Sequence, residues 1–388
     1  MSSRGRGPLA GIRVIELGGI GPGPFAGMML ADMGADVVRV DRAGHVGVAA
    51  PHGSSHQVLD RGRRSLAVDL KHPAAADVVL NLVANADVLL EGFRPGVAER
   101  LGIGPDRALE RNPRLVYGRM TGWGQQGPYA RRAGHDINYI AVTGALEPIV
   151  GADGAPTAPL NMLGDFGGGG MLMAFGVVAA LLHARRTGQG QVVDAAIVDG
   201  TALFTAMLHS MRAHGEWTEP RGGNLFDGAA PYYGVYRTAD DRWISVGAIE
   251  PQFYAQLLDG LGLAEELAGV PQDDKAAWPR VRATFARRFA ERTRPRWMET
   301  FAGSDACVAE VLSPAEAPGH EHMAARSVFV EHDGLTHPAP APRFSQTPGA
   351  WPGPAPRCGE HTREVLGEAG LDRAAVDALV DAGVVRQA

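Results

Sequence analysis

The stretch IRVIELGGIGPGPFAGMMLADMGADVVRV (12–40) decides the fold class of this chain. Its first six residues are mostly apolar and β-branched, as in a buried strand. A turn rich in glycine and proline follows, then an apolar helical stretch at 24–33, and ADVVRV (35–40) has the composition of a second strand. A strand, a helix and a second strand in this order predict a βαβ unit of a parallel sheet.

The same alternation continues through the first 200 residues. SLAVDL (65–70), ADVLLEG (86–92) and RLVYGRM (114–120) have the composition of strands, helical patterns lie at 73–85 and 96–111, and VVDAAIVDG (192–200) returns the chain to the sheet. We therefore predict an α/β fold with a Rossmann-like large domain. The apolar stretch 167–186, which begins GGGGMLMAFGVVAALL, predicts a long helix packed inside the protein.

The sequence after residue 198 predicts a smaller α+β domain. A helix at about 199–216 leads into a glycine-rich connector, and YYGVYRT (232–238) with RWISVGA (242–248) predicts a β-hairpin. Helices at 250–262 and 277–303 and a strand at 307–312 follow, and the proline-rich segment 338–357 predicts an extended linker before two short helices. The predicted parts are a large domain at 1–198, a linker helix and connector at 199–230, a small domain at 231–335, and a return linker with the rest of the large domain at 336–388.

Composition narrows the classes of function. The 388 residues carry a formal net charge of −6, which does not favour a nucleic-acid partner. The sequence has no apolar run of about 18 residues that would predict a membrane span, and its N-terminal residues do not resemble a signal peptide. Cys307 and Cys358 lie far apart, as is typical of two reduced thiols. We expect a cytoplasmic protein.

The turn GGIGPGPFAG (18–27) resembles a dinucleotide-binding motif but departs from it. After Gly19 and Gly21, Pro24 stands where the third glycine of G-x-G-x-x-G belongs. Pro22 and Pro24 also lack the backbone N–H groups that would bind a pyrophosphate. We interpret this stretch as a tight turn from strand to helix, so the sequence does not favour NAD binding.

Three titratable side chains beside predicted turns are candidates for chemistry. His135 opens a helix in GHDINY (134–139), and histidine titrates near neutral pH. Asp165 precedes four glycines in NMLGDFGGGG (161–170), and Glu250 lies at a strand-to-helix turn in VGAIEPQFY (246–254). Each is also explained by helix capping or a surface position, so none decides the function alone. The glycines after Asp165 favour chemistry because they let a bulky group approach the backbone.

Taken together, these segments resemble one known family. The combination of ELGGIGPGPFAGMMLADMGADVVRVDR, RGRRSLAVDLK, GHDINY, LNMLGDFGGGG, VGAIEPQFY and GEHTREVL is similar to the α-methylacyl-CoA racemases of the class III CoA-transferase family. The similarity extends from about residue 8 to the end of the chain. It departs at Asp60, in the strand 307–312 and in the loop 43–59, which we expect near the CoA entrance.

The resemblance implies inversion of the carbon beside an acyl-CoA thioester, by proton transfer through an enolate. Asp165 would act on one face of that carbon and His135, oriented by Glu250, on the other. The resemblance also implies an interlocked homodimer and no cofactor apart from the CoA that is part of the substrate. From the spacing of the histidines we expect no metal. The residues expected to bind the CoA part or the thioester are Arg42, Val68, Asp69, Leu70, Lys71, Gly92, Arg94, Gly134, Asp136, Ile137, Asn138 and Tyr139.

Three other functions stay open. A class III CoA-transferase would use the Asp165 carboxylate as a nucleophile on the thioester. A non-catalytic acyl-CoA-binding protein is less favoured, because it would not need His135, Asp165 and Glu250 together. A metal hydrolase has the least support, because the 13 histidines lack the spacing of metal ligands.

Overall fold

The computed structural model describes residues 6–48, 58–151, 153–219 and 221–388. The chain divides into two compact units. Unit 1 comprises Met1–Ala145, Pro159–Thr205 and Ser327–Ala388, and unit 2 comprises Leu146–Ala158 and Ala206–Arg326. Most of the loop 43–59, which the sequence analysis expects near the CoA entrance, lies outside the described residues.

Unit 1 is built on a seven-stranded sheet. Its strands are β1 (Arg13–Leu17), β2 (Asp36–Arg42), β3 (Arg63–Val68), β4 (Val88–Glu91), β5 (Val116–Thr121), β6 (Gln191–Ala196) and β12 (Val385–Arg386), in the order β12-β3-β2-β1-β4-β5-β6. All neighbours are parallel except β12, which pairs antiparallel with β3. This order reverses between β1 and β4, as in doubly wound folds. It confirms the predicted α/β class with a parallel sheet.

Helices cover both faces of this sheet. They are α1 (Pro22–Asp32), α2 (Ala75–Val83), α3 (Val97–Arg100), α4 (Pro105–Arg111), α5 (Asp136–Val142), α6 (Leu172–Thr187), α7 (Ile197–Phe204), α13 (Thr362–Glu368) and α14 (Arg373–Asp381). Met162–Met171 forms a π-helical segment that runs directly into α6. One core cluster packs α2 and α13 on one face of the sheet, and another packs α1 and α6 on the opposite face. A short hairpin, β10 (Phe329–His332) and β11 (Leu335–Pro338), also belongs to unit 1.

Unit 2 contains a three-stranded antiparallel sheet and helices. The strands β7 (Tyr233–Arg237), β8 (Trp243–Gly247) and β9 (Val308–Val311) lie in the order β7-β8-β9. The helices are α8 (Ala206–Ala213), α9 (Pro251–Leu261), α10 (Trp278–Phe289), α11 (Arg294–Phe301) and α12 (Glu321–Ala325). A core rich in aromatic side chains, with Phe285 and Trp297 fully buried, joins these helices to the sheet. The predicted hairpin and the strand at 307–312 are confirmed.

Three helices predicted as continuous are each divided in two. The stretch 96–111 is interrupted at Gly102, whose φ of 73° is outside the helical region, and Pro105 then starts α4. The stretch 199–216 is interrupted at Thr205, whose hydroxyl donates to the carbonyl of Ala202 (2.8 Å). The stretch 277–303 is interrupted before Pro295 in the first turn of α11. The apolar periodicity continues across these breaks, so it did not reveal them.

Strand β3 lies two residues earlier than predicted. Arg63 and Arg64 have the character of loop residues, yet both are buried in the strand. Nε of Arg63 donates to Oε2 of Glu16 on β1 (2.7 Å), and Nη2 of Arg64 donates to Oδ2 of Asp36 on β2 (2.6 Å). Charged side chains can be buried when they are paired in this way. The partners are distant in sequence, which is why the strand was misplaced.

The sequence predicted that the long apolar helix is packed inside the protein. In the structure, one of its faces is exposed. Phe175 is 74% exposed and Leu182 is 63% exposed, while Met173 is buried against the sheet. By length and composition alone, Met162–Thr187 would suffice to cross a membrane, a test that the core helices of globular proteins also pass. An exposed apolar face of this kind indicates an interaction surface.

Candidate active site

Sheet topology brings the predicted CoA-binding residues to one edge. Arg42 ends β2, Val68 ends β3, Gly92 and Arg94 follow β4, and the segment 134–139 follows β5. The carboxyl ends of parallel strands lie at the same edge of a sheet, and ligands bind in the crevice where the strand order reverses. That reversal lies here between β1 and β4.

The residues along this edge differ in what they offer a ligand. The side chain of Val68 is fully buried, so only its backbone is available. The backbone N–H of Lys71 donates to Oδ1 of Asp69 (3.1 Å), which forms a tight turn after β3. Leu70 and Gly134 are half-buried, and the exposed residues are Arg42, Asp69, Lys71, Gly92 and Arg94. The three exposed cations in this set are suited to phosphate groups.

His135 is the residue before α5, and its side chain is exposed. Its backbone N–H donates to Oδ1 of Asn138 (3.0 Å), and the N–H of Asn138 donates back to its carbonyl (2.8 Å). The Tyr139 hydroxyl donates to the carbonyl of Gly134, and the ring of Trp123 packs edge-on against that of Tyr139. These contacts fix the backbone that carries the His135 imidazole. His135 is therefore the N-cap residue of α5, and the Asn138 side chain completes a capping box.

Asp165 lies in the first turn of the π-helical segment. The helix begins after Asn161, so Asp165 is not the N-cap residue that the competing interpretation predicted. The Asn161 side-chain Nδ2 donates to Oδ2 of Asp165 (3.4 Å). The backbone N–H of Asp165 donates to Oδ2 of Asp136 (2.6 Å), whose side chain is buried. π-helical turns are frequent at functional sites.

Burial is the largest influence on the Asp165 carboxyl group and raises its pKa. The charge of Asp136 raises this pKa further, whereas the hydrogen bond from Asn161 and the charge of His135 lower it. The net pKa lies above the usual value of an aspartate, which favours a group that can carry a proton closer to neutral pH. The hydrogen bond from the Asp165 N–H to Asp136, the residue after His135, brings the chain segments of the two candidates together.

Glycines allow other elements to approach Asp165. Gly21 precedes α1 with a φ of 69°, and a Cβ there would lie 3.1 Å from Oδ2 of Asp165. A Cβ on Gly164 would lie 2.5 Å from Oδ2 of Asp136, and one on Gly168 would lie 2.5 Å from Oγ1 of Thr201 in α7. The glycines here permit close packing of protein elements against the π-helical segment. The expected approach of a bulky ligand to this backbone stays a prediction.

Apolar side chains near Asp165 and His135 are exposed. Ile20 adjoins Gly21, Ile137 follows the first residue of α5, and Leu160 and Met162 flank Asn161. Isolated exposed apolar residues are common on protein surfaces, but these four adjoin Gly21, Asp136 and Asn161 in the sequence, three residues that lie against Asp165, and we call them the apolar rim. This rim suits an apolar part of a ligand.

Glu250 belongs to unit 2. It is the residue before α9, its side chain is exposed, and its carbonyl accepts from the N–H of Phe253 (3.0 Å) and of Tyr254 (2.9 Å). Its charge contributes, after burial, to raising the pKa of Cys307. Its predicted role beside His135 stays a prediction.

Three residues that contact the Asp165 turn were not placed there by the sequence. Asn161 and Gly21 were not singled out, and Asp136 was expected to face CoA, although its carboxylate is buried against Asp165. The sequence could have indicated Asn161, because it lies four residues before Asp165 and hence on the same helix face. Among the described residues, no group of three or more His, Cys, Asp and Glu side chains could hold a metal ion.

These features define a doubly wound α/β protein in which the carboxyl edge of the sheet has a carboxyl group, an imidazole and exposed cations near it. The chain belongs to CoA-transferase family III, whose model matches residues 9–362. It is 47% identical over 368 residues to an alpha-methylacyl-CoA racemase of Mus musculus and 46% identical over 374 residues to that of Homo sapiens, covering 94% of each chain in both comparisons. The crystal structure of Rv3272 from M. tuberculosis is similar with a TM-score of 0.77 at 29% identity, covering 92% of this chain and 98% of that one. The family that the sequence motifs indicated is confirmed.

Proposed function

We propose that this chain is an isomerase that interconverts (R)- and (S)-2-methylacyl-CoA thioesters by removing and returning the α-proton. One observation carries the proposal: the backbone N–H of Asp165 donates to Oδ2 of Asp136 (2.6 Å), the residue after the exposed His135, at the carboxyl edge of the sheet. Burial also raises the pKa of the Asp165 carboxyl group. Identities of 46% and 47% to proteins named alpha-methylacyl-CoA racemase support this reaction over others in the family.

The reaction needs two groups that exchange protons with the same carbon. The α-proton of a thioester is weakly acidic, so a base must act at short range while the charge on the enolate oxygen is stabilised. In one direction His135 removes the proton and Asp165, in its proton-bearing form, returns one to the opposite face. In the other direction the two roles are exchanged. A raised pKa suits Asp165 to both roles, because an ordinary aspartate holds almost no proton at neutral pH.

Residues near His135 and Asp165 can be assigned to the CoA part and the acyl part of the substrate. Arg42, Lys71 and Arg94 are exposed cations at the strand ends, and we assign them to the phosphates of CoA. The apolar rim of Ile20, Ile137, Leu160 and Met162 would contact the acyl chain, whose α-carbon must lie between Asp165 and His135. Asp69, Leu70, Gly92, Gly134 and Asn138 are assigned to the CoA part through backbone or polar contacts.

We also propose a homodimer, in which the partner's copy of Glu250 orients His135. The exposed apolar side chains of the π-helical segment, α6 and α7 support this arrangement. Met171, Phe175, Val178 and Leu182 follow the i, i+4, i+7, i+11 spacing of one helix face, and Phe204 lies against Gly167. Monomeric proteins rarely leave such a face uncovered, and a second copy of the chain is the occupant that we assign to it.

Phe175→Asp tests the dimer, because a buried carboxylate at its centre would oppose association. We expect wild-type protein to sediment as a dimer and the variant largely as a monomer with reduced activity. Ala374→Asp, at an exposed position of α14, is the matched control and should remain dimeric. Wild-type protein that is fully active as a monomer would contradict the assignment.

Proton exchange tests the reaction itself. Incubation of a single-enantiomer 2-methylacyl-CoA with the protein in deuterated water should remove the α-proton signal in the NMR spectrum and produce the other enantiomer. Asp165→Asn and His135→Gln should each reduce this exchange by at least about 100-fold. Asp381→Asn and His183→Gln change exposed residues elsewhere in unit 1 and should leave it unaltered.

The same mixture distinguishes the related transferase reaction. If Asp165 is a nucleophile in a CoA-transferase, a labelled carboxylic acid will acquire CoA while the α-proton is retained. CoA exchange without deuterium uptake would therefore replace the racemase proposal. Tight binding of acyl-CoA with neither reaction would indicate a non-catalytic binding protein.

A further inference from the structure

Asp136 is in an unusual environment for a residue expected to bind CoA. Its side chain is buried, with a relative exposure of 5%, at the start of α5. Oδ2 accepts the backbone N–H of Asp165 across 29 residues of sequence, at 2.6 Å. Gly164 provides the space, since a Cβ at that position would lie 2.5 Å from this oxygen and 2.7 Å from Cγ. The carboxylate is thus enclosed between α5 and the π-helical segment.

The other carboxylate oxygen has no hydrogen-bond partner. Oδ1 of Asp136 is buried and unpaired within the part of the chain that the structure describes. Buried carboxylate oxygens are normally satisfied, because an unpaired one costs free energy. Such strain is retained most often where a functional site requires it. A purely structural N–H acceptor could be an asparagine, which would avoid the buried charge.

We propose that Asp136 is a positioning residue for Asp165: it holds the Asp165 backbone through the N–H bond and places a second carboxylate beside the first. Like charges at short range favour protonation of one group, so the proton-bearing form of Asp165 is stabilised. The consequence for catalysis rests on the proposed function. The effect on Asp165 itself does not, and it can be measured in the resting protein.

Other groups near Asp165 must stay the same when the wild-type protein is compared with Asp136→Asn. Asn161 donates a hydrogen bond to it, and His135 contributes an opposing positive charge. The charge of Asp165 acts in turn on Tyr139, whose pKa is raised by burial and by that charge, and the charge of Arg94 opposes the rise. Asp136→Asn leaves all four residues unchanged and retains an oxygen acceptor for the Asp165 N–H. It therefore isolates the charge.

The direct experiment is a ¹³C NMR titration of protein labelled at the aspartate carboxyl carbons, with the Asp165 signal assigned from its absence in Asp165→Asn. We expect the midpoint of the Asp165 titration to move to lower pH in Asp136→Asn. Asp194→Asn is the matched control, because Oδ2 of Asp194 also accepts a backbone N–H, that of Gln125 (3.3 Å), yet Asp194 does not act on Asp165. An Asp165 midpoint that is unchanged in Asp136→Asn overturns the proposal.

Kinetics provide the second readout. In Asp136→Ala, which removes charge and acceptor together, kcat for α-proton exchange should fall at least tenfold while KM for acyl-CoA changes less than twofold. In Asp136→Asn, the limb of the pH–kcat profile that reports Asp165 should move to lower pH. A raised KM with unchanged kcat would instead make Asp136 the CoA contact that the sequence indicated, and would refute the positioning role.

Two safeguards keep the outcomes distinct. If the Asp136 variants do not fold, as judged by circular dichroism, Gly164→Ala displaces the same carboxylate and should shift the Asp165 titration. An unshifted titration in that folded variant counts against the proposal. If the wild-type protein shows no α-proton exchange, the proposed function fails, while the titration still decides whether Asp136 acts on Asp165.

Discussion

Gly168→Ala should disturb both stability and the position of Asp165. A Cβ at residue 168 would lie 2.5 Å from Oγ1 of Thr201, 2.9 Å from its backbone nitrogen and 3.1 Å from the carbonyl oxygen of Ile197. Real Cβ atoms do not approach other atoms within 3.0 Å, so the π-helical segment and α7 must separate by about 0.5 Å or more. The Thr201 hydroxyl cannot simply turn away, because it is fully buried and donates to Ile197 (2.7 Å).

The expected magnitude follows from two opposing effects. Overpacking of a tight interface costs about 1–3 kcal/mol. Replacing a helical glycine by alanine recovers at most about 1 kcal/mol. We therefore expect a net loss of about 1–2 kcal/mol, which lowers Tm by roughly 3–6 °C. Asp165 is three residues away in the same segment, and a displacement of about 0.5 Å should reduce kcat about tenfold, since 1 Å costs about 100-fold.

The assays are thermal unfolding and the α-proton exchange rate. Gly367→Ala is the matched control, because a Cβ on this α13 residue would meet nothing within 4 Å, and its Tm should be unchanged or higher. Adding Thr201→Ala to Gly168→Ala removes the closest contact but leaves the one to the backbone nitrogen, so it should restore part of the lost stability. A Gly168→Ala protein with wild-type Tm and kcat would refute the close-packing explanation for the glycine run.

Three further outcomes are expected. Since burial raises the pKa of folded Asp165, its ionisation at neutral pH opposes folding: stability is lost as the pH rises through the folded pKa. Asp165→Asn should therefore raise Tm at pH 7 by on the order of 1 °C. The difference should vanish below about pH 3, where the acid is protonated in both states. A destabilised variant at pH 7 would contradict the sign. Arg63→Met should lower the free energy of unfolding in urea by about 3–5 kcal/mol, because it leaves the buried Glu16 without its partner, and a loss below about 1 kcal/mol would show that the pair is dispensable. Arg42→Ala should raise KM for acyl-CoA several-fold with little change in kcat, and an unchanged KM would remove Arg42 from the site.

The candidate site could be predicted in part from single motifs. GHDINY and NMLGDFGGGG named His135 and Asp165 correctly as neighbours of helix starts, and the alternation of strands and helices implied that the carboxyl strand ends would share an edge. The buried contact between Asp136 and the Asp165 N–H could not be read from the sequence, because it joins residues 29 positions apart through the packing of two helices. The motif GHDINY by itself groups Asp136 with the residues expected to face CoA.

Local patterns in the chain were sufficient for the α/β class, the parallel sheet and the hairpin of unit 2. Apolar periodicity and glycine or proline breaks act over a few residues, and a βαβ sequence permits few topologies. The position of β3, the exposed face of α6 and the surroundings of Asp165 required the tertiary structure. In each case the deciding interaction is between distant segments. Arg63 pairs with Glu16, Asp165 contacts Asp136, and the apolar helix packs against the sheet with only one of its faces. The free energy of burying a charge or leaving a face exposed depends on partners that only folding brings together.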